Sequence, residues 1–227
     1  MPELSINTTI NYSPNFDLKK RNLSKIKFLI FHYTGMKKET AALKKLTKIQ
    51  SEVSSHYFIK NNGDVVILVP DLYTAWHAGK SSWKNFTYLN KNSIGIEINN
   101  PGHQFNYKKF SKRQIKSLLI LSKFLIKKYR IGSKNILGHS DVSPNRKMDP
   151  GEKFPWKYLA KYKVGVWHSL SATFLKKHRL AKINNMDKKL FFKNLYKIGY
   201  SRNLLKDLNN INHSKSIIKA FQRRFRQ

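Results

Sequence analysis

Lys27-Phe28-Leu29-Ile30-Phe31, closed by His32, is the stretch on which the fold reading turns. A short unbroken apolar run of this length reads as a buried strand. Asn135-Ile136-Leu137-Gly138-His139 repeats the pattern downstream, again an apolar run ending on a histidine. Between the two, strand and helix signals alternate. Residues 40–50 space Leu43 and Leu46 for a helix, and His56-Tyr57-Phe58-Ile59 is a second strand. Asn61-Asn62-Gly63-Asp64 supplies the positive φ of a hairpin turn into a returning strand at 65–69. Ser93-Ile94-Gly95-Ile96-Glu97-Ile98 alternates, with its three isoleucines on one face. Residues 111–129 carry Ile115, Leu118, Leu119, Ser122, Leu125 and Ile126 on a 3.6-residue stripe, with Ser111 as N-cap. These signals predict an α/β domain, a central sheet flanked by helices.

The pattern changes after Trp156. A short helix covers 153–163, and from about Ser169 the signal is helical only. Leu190, Phe191, Leu195 and Ile198 form one stripe, ended by Gly199; Ile217, Ile218, Phe221 and Phe225 form another. Expected domains are therefore 1–168 and a small helical unit at 169–227, the latter near the lower size limit for an autonomous core.

Composition narrows the function. With 40% hydrophobic and 13% aromatic residues the chain builds a core, which argues against a disordered basic tail. It has no cysteine, excluding disulfide scaffolds, thiolate zinc fingers, Fe–S clusters and cysteine nucleophiles. The net charge of +33 invites polyanions. Yet 36 of the 45 basic residues are Lys, amid many Asn and Ile, as AT-rich coding would produce without selection for a ligand. No apolar run is long enough to span a membrane. The start, Met1-Pro2-Glu3-Leu4-Ser5-Ile6-Asn7, shows no basic and apolar leader pattern, so the expected location is cytoplasmic, or periplasmic or secreted if the N-terminus is trimmed or export is unconventional.

Without cysteine, a transition-metal site must come from histidine and carboxylate. His32 and His139 end strands, where side chains are held rigidly yet reachable, and Asp149 follows His139 by ten residues in a Pro- and Asn-containing loop. Two histidines and one carboxylate form a known catalytic zinc set. Surface or core histidines beside a solvated acid are the alternative on spacing alone.

Five segments in order then carry a resemblance: Phe31-His32-Tyr33-Thr34, Ser55-His56-Tyr57, Trp76-His77-Ala78-Gly79, Asn92-Ser93-Ile94-Gly95-Ile96-Glu97, and Gly138-His139-Ser140-Asp141 continuing to Arg146-Lys147-Met148-Asp149-Pro150-Gly151. Together, from about Lys27 to Trp167, they resemble the type 2 N-acetylmuramoyl-L-alanine amidases, in particular the AmpD-like anhydromuramoyl-peptide amidases. The resemblance implies a central mixed sheet flanked by helices and a Zn2+ held by His32, His139 and Asp149. It implies Glu97 as general acid/base and Lys147 as the cation that steadies the oxyanion. In the phage-type branch a Tyr just before the second-strand histidine does the acid/base work, and here that position is Ser55. The implied reaction cuts the amide between (anhydro-)N-acetylmuramic acid and L-Ala of the stem peptide. His77, Trp76 and Asn99 are the expected substrate contacts, His56 is expected to be structural, and Trp83 is either a sugar-stacking or a core residue. His103, His168, His178 and His213 are expected at the surface.

The tail motifs Leu195-Tyr196-Lys197-Ile198-Gly199-Tyr200 and Ala220-Phe221-Gln222 resemble a three-helix peptidoglycan-binding-type domain, though residues 201–213 depart from that pattern. Expected partners are peptidoglycan or anhydro-muropeptide, with no specific nucleic acid, and the expected state is a monomer. The competing readings are a non-catalytic muropeptide-recognition module and a basic nucleic-acid-binding protein.

Overall fold

The computed structural model describes residues 6–182, 184–206 and 209–226. The leader reading at Met1–Ser5 lies outside the described residues. In chain order the strands are β1 (Thr8–Ile10), β2 (Phe16–Asp17), β3 (Phe28–Tyr33), β4 (Tyr57–Ile59), β5 (Val65–Ile67), β6 (Thr74–Ala75), β7 (Ser82–Trp83), β8 (Phe86–Thr87), β9 (Ser93–Ile98) and β10 (Ile136–Gly138). The helices are α1 (Glu39–Thr47), α2 (Lys112–Tyr129), α3 (His139–Val142), α4 (Trp156–Lys161), α5 (Ala172–His178), α6 (Asn185–Ile198), α7 (Arg202–Leu205) and α8 (Ile211–Phe225).

Six strands form one mixed sheet in the order β1-β5-β4-β9-β3-β10. Only β4 and β5, joined by the expected hairpin, run antiparallel; the other neighbours are parallel. Parallel strands need both faces covered, and β3 shows how this chain does it. Leu29 and Phe31 join the core under α2, whose Ile115, Leu118, Leu121 and Leu125 pack on them. Phe28 and Ile30 point the other way, into a second core with Leu137, Trp83, Phe192, Leu195, Tyr200 and Ile217. Thus α6 and α8 pack directly on the second face of the sheet. Farther along that face, Phe58 and Val66 are covered by Ala42 and Leu46 of α1.

Between α1 and the C-terminal helices, the second face carries Ser93, Gly95 and Glu97 of β9, beside His32 of β3. Register sets this: Phe28, Ile30 and His32 lie opposite Ser93, Gly95 and Glu97. The three isoleucines of β9 face α2 instead. β3, β9 and β10 are parallel, so their C-terminal ends share one rim, where ligand sites of α/β sheets form.

The capping box expected at Ser111 is present: its Oγ accepts from the Gln114 N–H, and the Gln114 side chain accepts from the Ser111 N–H. Among the described residues the tail forms α5, α6 and α8 and the single turn α7. Among the described residues no helix is long and apolar enough to cross a membrane.

Candidate metal centre

His32 stands near the end of β3, and His139 is the first residue after β10. Asp149 returns beside them because its carbonyl accepts the Ser140 N–H at 2.8 Å. The return is tight: a Cβ on Gly138 would lie 2.6 Å from Pro150 Cδ, so only glycine fits there.

The three side chains converge. His32 Nδ1 lies 2.9 Å from His139 Nδ1, and these atoms lie 3.0 and 3.1 Å from Asp149 Oδ2. All three residues are buried. The surrounding hydrogen bonds fix their tautomers. Ser93 Oγ donates to the Leu89 carbonyl at 2.7 Å, so it accepts from His77 Nε2 at 3.1 Å. A neutral His77 then accepts at Nδ1, from His32 Nε2 at 3.0 Å. His32 Nδ1 is left as a bare lone pair. His139 Nε2 lies 3.1 Å from the Ala78 carbonyl, which can only accept, so His139 Nδ1 is bare as well. Two lone pairs and a carboxylate oxygen aimed at one another suit a cation, and the donor set and supporting hydrogen bonds fit a metal.

The electrostatics agree. Burial, with His139 next, pushes His32 down to about 4, and burial holds His77 well below the usual histidine range. Both rings are neutral at pH 7. Burial pushes the Asp149 carboxyl up, but interactions with His139 and His32, which act whenever either ring carries a proton toward it, outweigh burial and hold it below its ordinary range.

Glu97 projects from β9 on the same face as His32. It is half-buried overall, but its Oε2 is closed from solvent and has no hydrogen-bond partner. Burial first, then the Asp149 charge, push its carboxyl up to about 8. A carboxyl titrating near neutrality is suited to moving protons.

These groups open onto a cavity of about 300 Å³ whose walls include Tyr33, Trp76, Glu97, His103, Lys147 and Asp149. Lys45 and Arg146 add positive charge to it. Arg146 is tied back to the Ala78 and Lys80 carbonyls at 3.1 and 2.8 Å. Trp76 lines the wall, its Nε1 donating to Asp17 Oδ1 at 2.8 Å. His77 also borders the cavity, but both its ring nitrogens are engaged, so it supports His32 and offers no free nitrogen to a ligand. Asn99 departs from expectation: it is buried outside the cavity wall, its amide donating to Asn61 Oδ1 at 2.9 Å and its Oδ1 accepting from Thr34 Oγ1 at 3.3 Å. Trp83 is a core residue against Tyr200.

His103 is the residue that sequence reasoning missed. It was expected at the surface, yet it lines the cavity, 2.8 Å from the Tyr33 hydroxyl and 2.9 Å from Glu152 Oε2. No local motif marks it, because both partners are distant in sequence. His56 is structural as expected, with Nδ1 accepting the Gly95 N–H at 3.0 Å.

The N-acetylmuramoyl-L-alanine amidase family matches residues 22–152. The chain is 39% identical over 155 residues to N-acetylmuramoyl-L-alanine amidase AmiD of Escherichia coli, a match over 63% of this chain and 55% of that protein. It thus spans about half the length of that relative. It is 34% identical over 170 residues to 1,6-anhydro-N-acetylmuramyl-L-alanine amidase AmpD of Haemophilus influenzae, covering 66% of this chain and 90% of that one. Among solved structures, E. coli AmiD in complex with the substrate anhydro-N-acetylmuramic acid-L-Ala-D-gamma-Glu-L-Lys superposes with a TM-score of 0.74 at 32% identity, covering 92% of this chain and 83% of that one. AmpDh3 of Pseudomonas aeruginosa in complex with anhydromuramic pentapeptide gives 0.75 at 29% identity, covering 95% and 86%. The matched span is more than half of the chain and holds His32, Glu97, His139, Lys147 and Asp149; on that match the chain belongs to the N-acetylmuramoyl-L-alanine amidase family.

Proposed function

We propose that the chain is a zinc-dependent amidase that hydrolyses the bond between the lactyl group of N-acetylmuramic acid, in its anhydro or reducing form, and L-Ala of the stem peptide. The convergence of His32 Nδ1, His139 Nδ1 and Asp149 Oδ2 as three acceptors beside a half-buried Glu97 carries this reading. These three atoms would hold Zn2+, which when bound brings the pKa of a water toward ~7 and polarises a carbonyl.

The chain's own residues do the rest. Glu97 takes the proton of the attacking water, then delivers it to the departing amine of L-Ala. Its elevated pKa lets one carboxyl serve both steps near neutral pH. Lys147 lines the cavity and offsets the negative charge that grows on the carbonyl oxygen. His77 and Ser93 hold the His32 ring in place. Trp76 offers an indole wall to the sugar, and Lys45 and Arg146 face the carboxylates of the stem peptide. The amidase machinery lies within residues 1–168, and the helices of 169–227 serve as its cover on the second face of the sheet.

The test is digestion of anhydro- and reducing-end muropeptides, read by mass spectrometry, with wild type, chelator-treated protein and Glu97→Gln. Expected is release of free stem peptide by wild type, its loss on chelation with recovery on added Zn2+, and a fall of about 10²–10⁴-fold for Glu97→Gln. Stem-peptide release that survives chelation overturns the zinc assignment. Muropeptide binding without release favours a recognition module.

A further inference from the structure

Beside β10 lies an ion pair that the amidase chemistry does not use. Arg224, near the end of α8, is 4% exposed, and Asp141 of α3 is 1% exposed. Arg224 Nη1 donates to Asp141 Oδ2, and Nη2 donates to the Ile136 carbonyl at 2.9 Å. The guanidinium lies over the Trp156 ring, 4.1 Å from its centroid.

Asp141 belongs to the turn that presents His139. Its Oδ2 also accepts the Gly138 N–H at 2.8 Å, fixing the backbone just before His139. Two residues on, the Ser140 N–H donates to the Asp149 carbonyl. One four-residue turn therefore sets both His139 and Asp149, and the cation that neutralises its buried carboxylate comes from the far end of the chain.

We propose that Arg224 is a positioning residue for the metal centre: through Asp141 it sets the turn that aims His139 and Asp149, so that α8 tunes metal affinity and geometry. The proposal rests on the zinc-site reading. Without Arg224 the buried Asp141 carboxylate loses the guanidinium that fixes its position, and its hold on the Gly138 N–H loosens. An Arg fork is needed because two acceptors, Asp141 and the Ile136 carbonyl, are engaged together.

The test compares wild type, Arg224→Gln, Arg224→Lys and Ile217→Ala in the full chain. Ile217 of α8 is an apolar member of the buried core, so Ile217→Ala controls for loosened packing. Two readouts are taken: Zn2+ affinity by competition with a chromophoric chelator, and the visible spectrum of the Co2+-loaded protein, which reports ligand geometry. Expected for Arg224→Gln is a Zn2+ affinity about 10-fold or more weaker, within the range seen when groups supporting metal ligands are lost, with an altered Co2+ spectrum. Arg224→Lys restores part of the affinity, and Ile217→Ala lowers the melting temperature while leaving both readouts at wild-type values. Wild-type affinity and spectrum in Arg224→Gln overturn the proposal, as does an equal loss in Ile217→Ala. Failure of wild type to bind Zn2+ sinks the zinc reading instead, which keeps the two failures distinct. If Arg224→Gln does not fold, Arg224→Lys decides alone: an unchanged Co2+ spectrum and Zn2+ affinity then count against the positioning role.

Discussion

The buried histidines behave as neutral spacers, and that has a measurable pH signature. His56 is held by the Gly95 N–H at Nδ1 and sits beside the Arg21 guanidinium. Burial, with Arg21 next, pushes it down to about 3. The unfolded chain protonates it near 6.5, so between about 6.5 and 3 the unfolded state binds more protons. Stability is therefore present above 6.5 and is lost as the pH falls, by about 1.4 kcal/mol per pH unit for this one group. Urea midpoints of the metal-free protein at pH 7, 6 and 5 should show His56→Asn with a shallower slope than wild type; parallel slopes would contradict the assignment. His77 holds the His32 ring through its Nδ1, so His77→Ala should weaken Zn2+ binding about 10–100-fold in chelator competition. The convergence of His32 and His139 was readable in the sequence because each histidine closes a strand-like run. Ser93 and His103 were not, since their partners lie far along the chain and only folding introduces them.

The strands and α2 were legible because their periodicity is strong. β9 was read at its full extent, and the structure places its isoleucines under α2 as the alternation implied. The alternation also hid something: the other face of β9 is not a solvent face but the floor of the site. Gly95 shows the constraint most sharply. A Cβ there would fall 2.4 Å from His77 Cγ, so the histidine ring lies directly against the strand backbone. Gly95→Ala should cost about 1–3 kcal/mol by overpacking, read as a drop in the urea midpoint, and should weaken Zn2+ binding together with it by displacing His77. The short strands β1, β2 and β6–β8 escaped the sequence because, unlike β4, β5 and β10, their two or three residues carry no apolar run.

For the whole molecule, the composition shift at 169 suggested a division, while the packing joins the parts. Phe28, Ile30 and Leu137 of the sheet share a core with Phe192, Leu195 and Ile217. An amphipathic stripe states that a helix is covered, not by what, so the sequence left this open. We expect the full chain to melt in one calorimetric transition and a chain ended at 168 to aggregate or lose its near-UV signal; two separate transitions would favour independent units. The charge of +33 acts at the same scale. Pelleting with isolated cell wall should weaken as salt rises from about 50 to 500 mM, because exposed charges are screened over a shorter distance. The donors themselves carry a last consequence. His32 stands 107 residues before His139 and 117 before Asp149. No one local segment supplies all three donors, so, unlike a zinc finger, the chain must bring β3 beside β10 before the set is complete. On the proposed function, a metal would join a finished protein, and chelation should leave the far-UV spectrum intact while abolishing stem-peptide release.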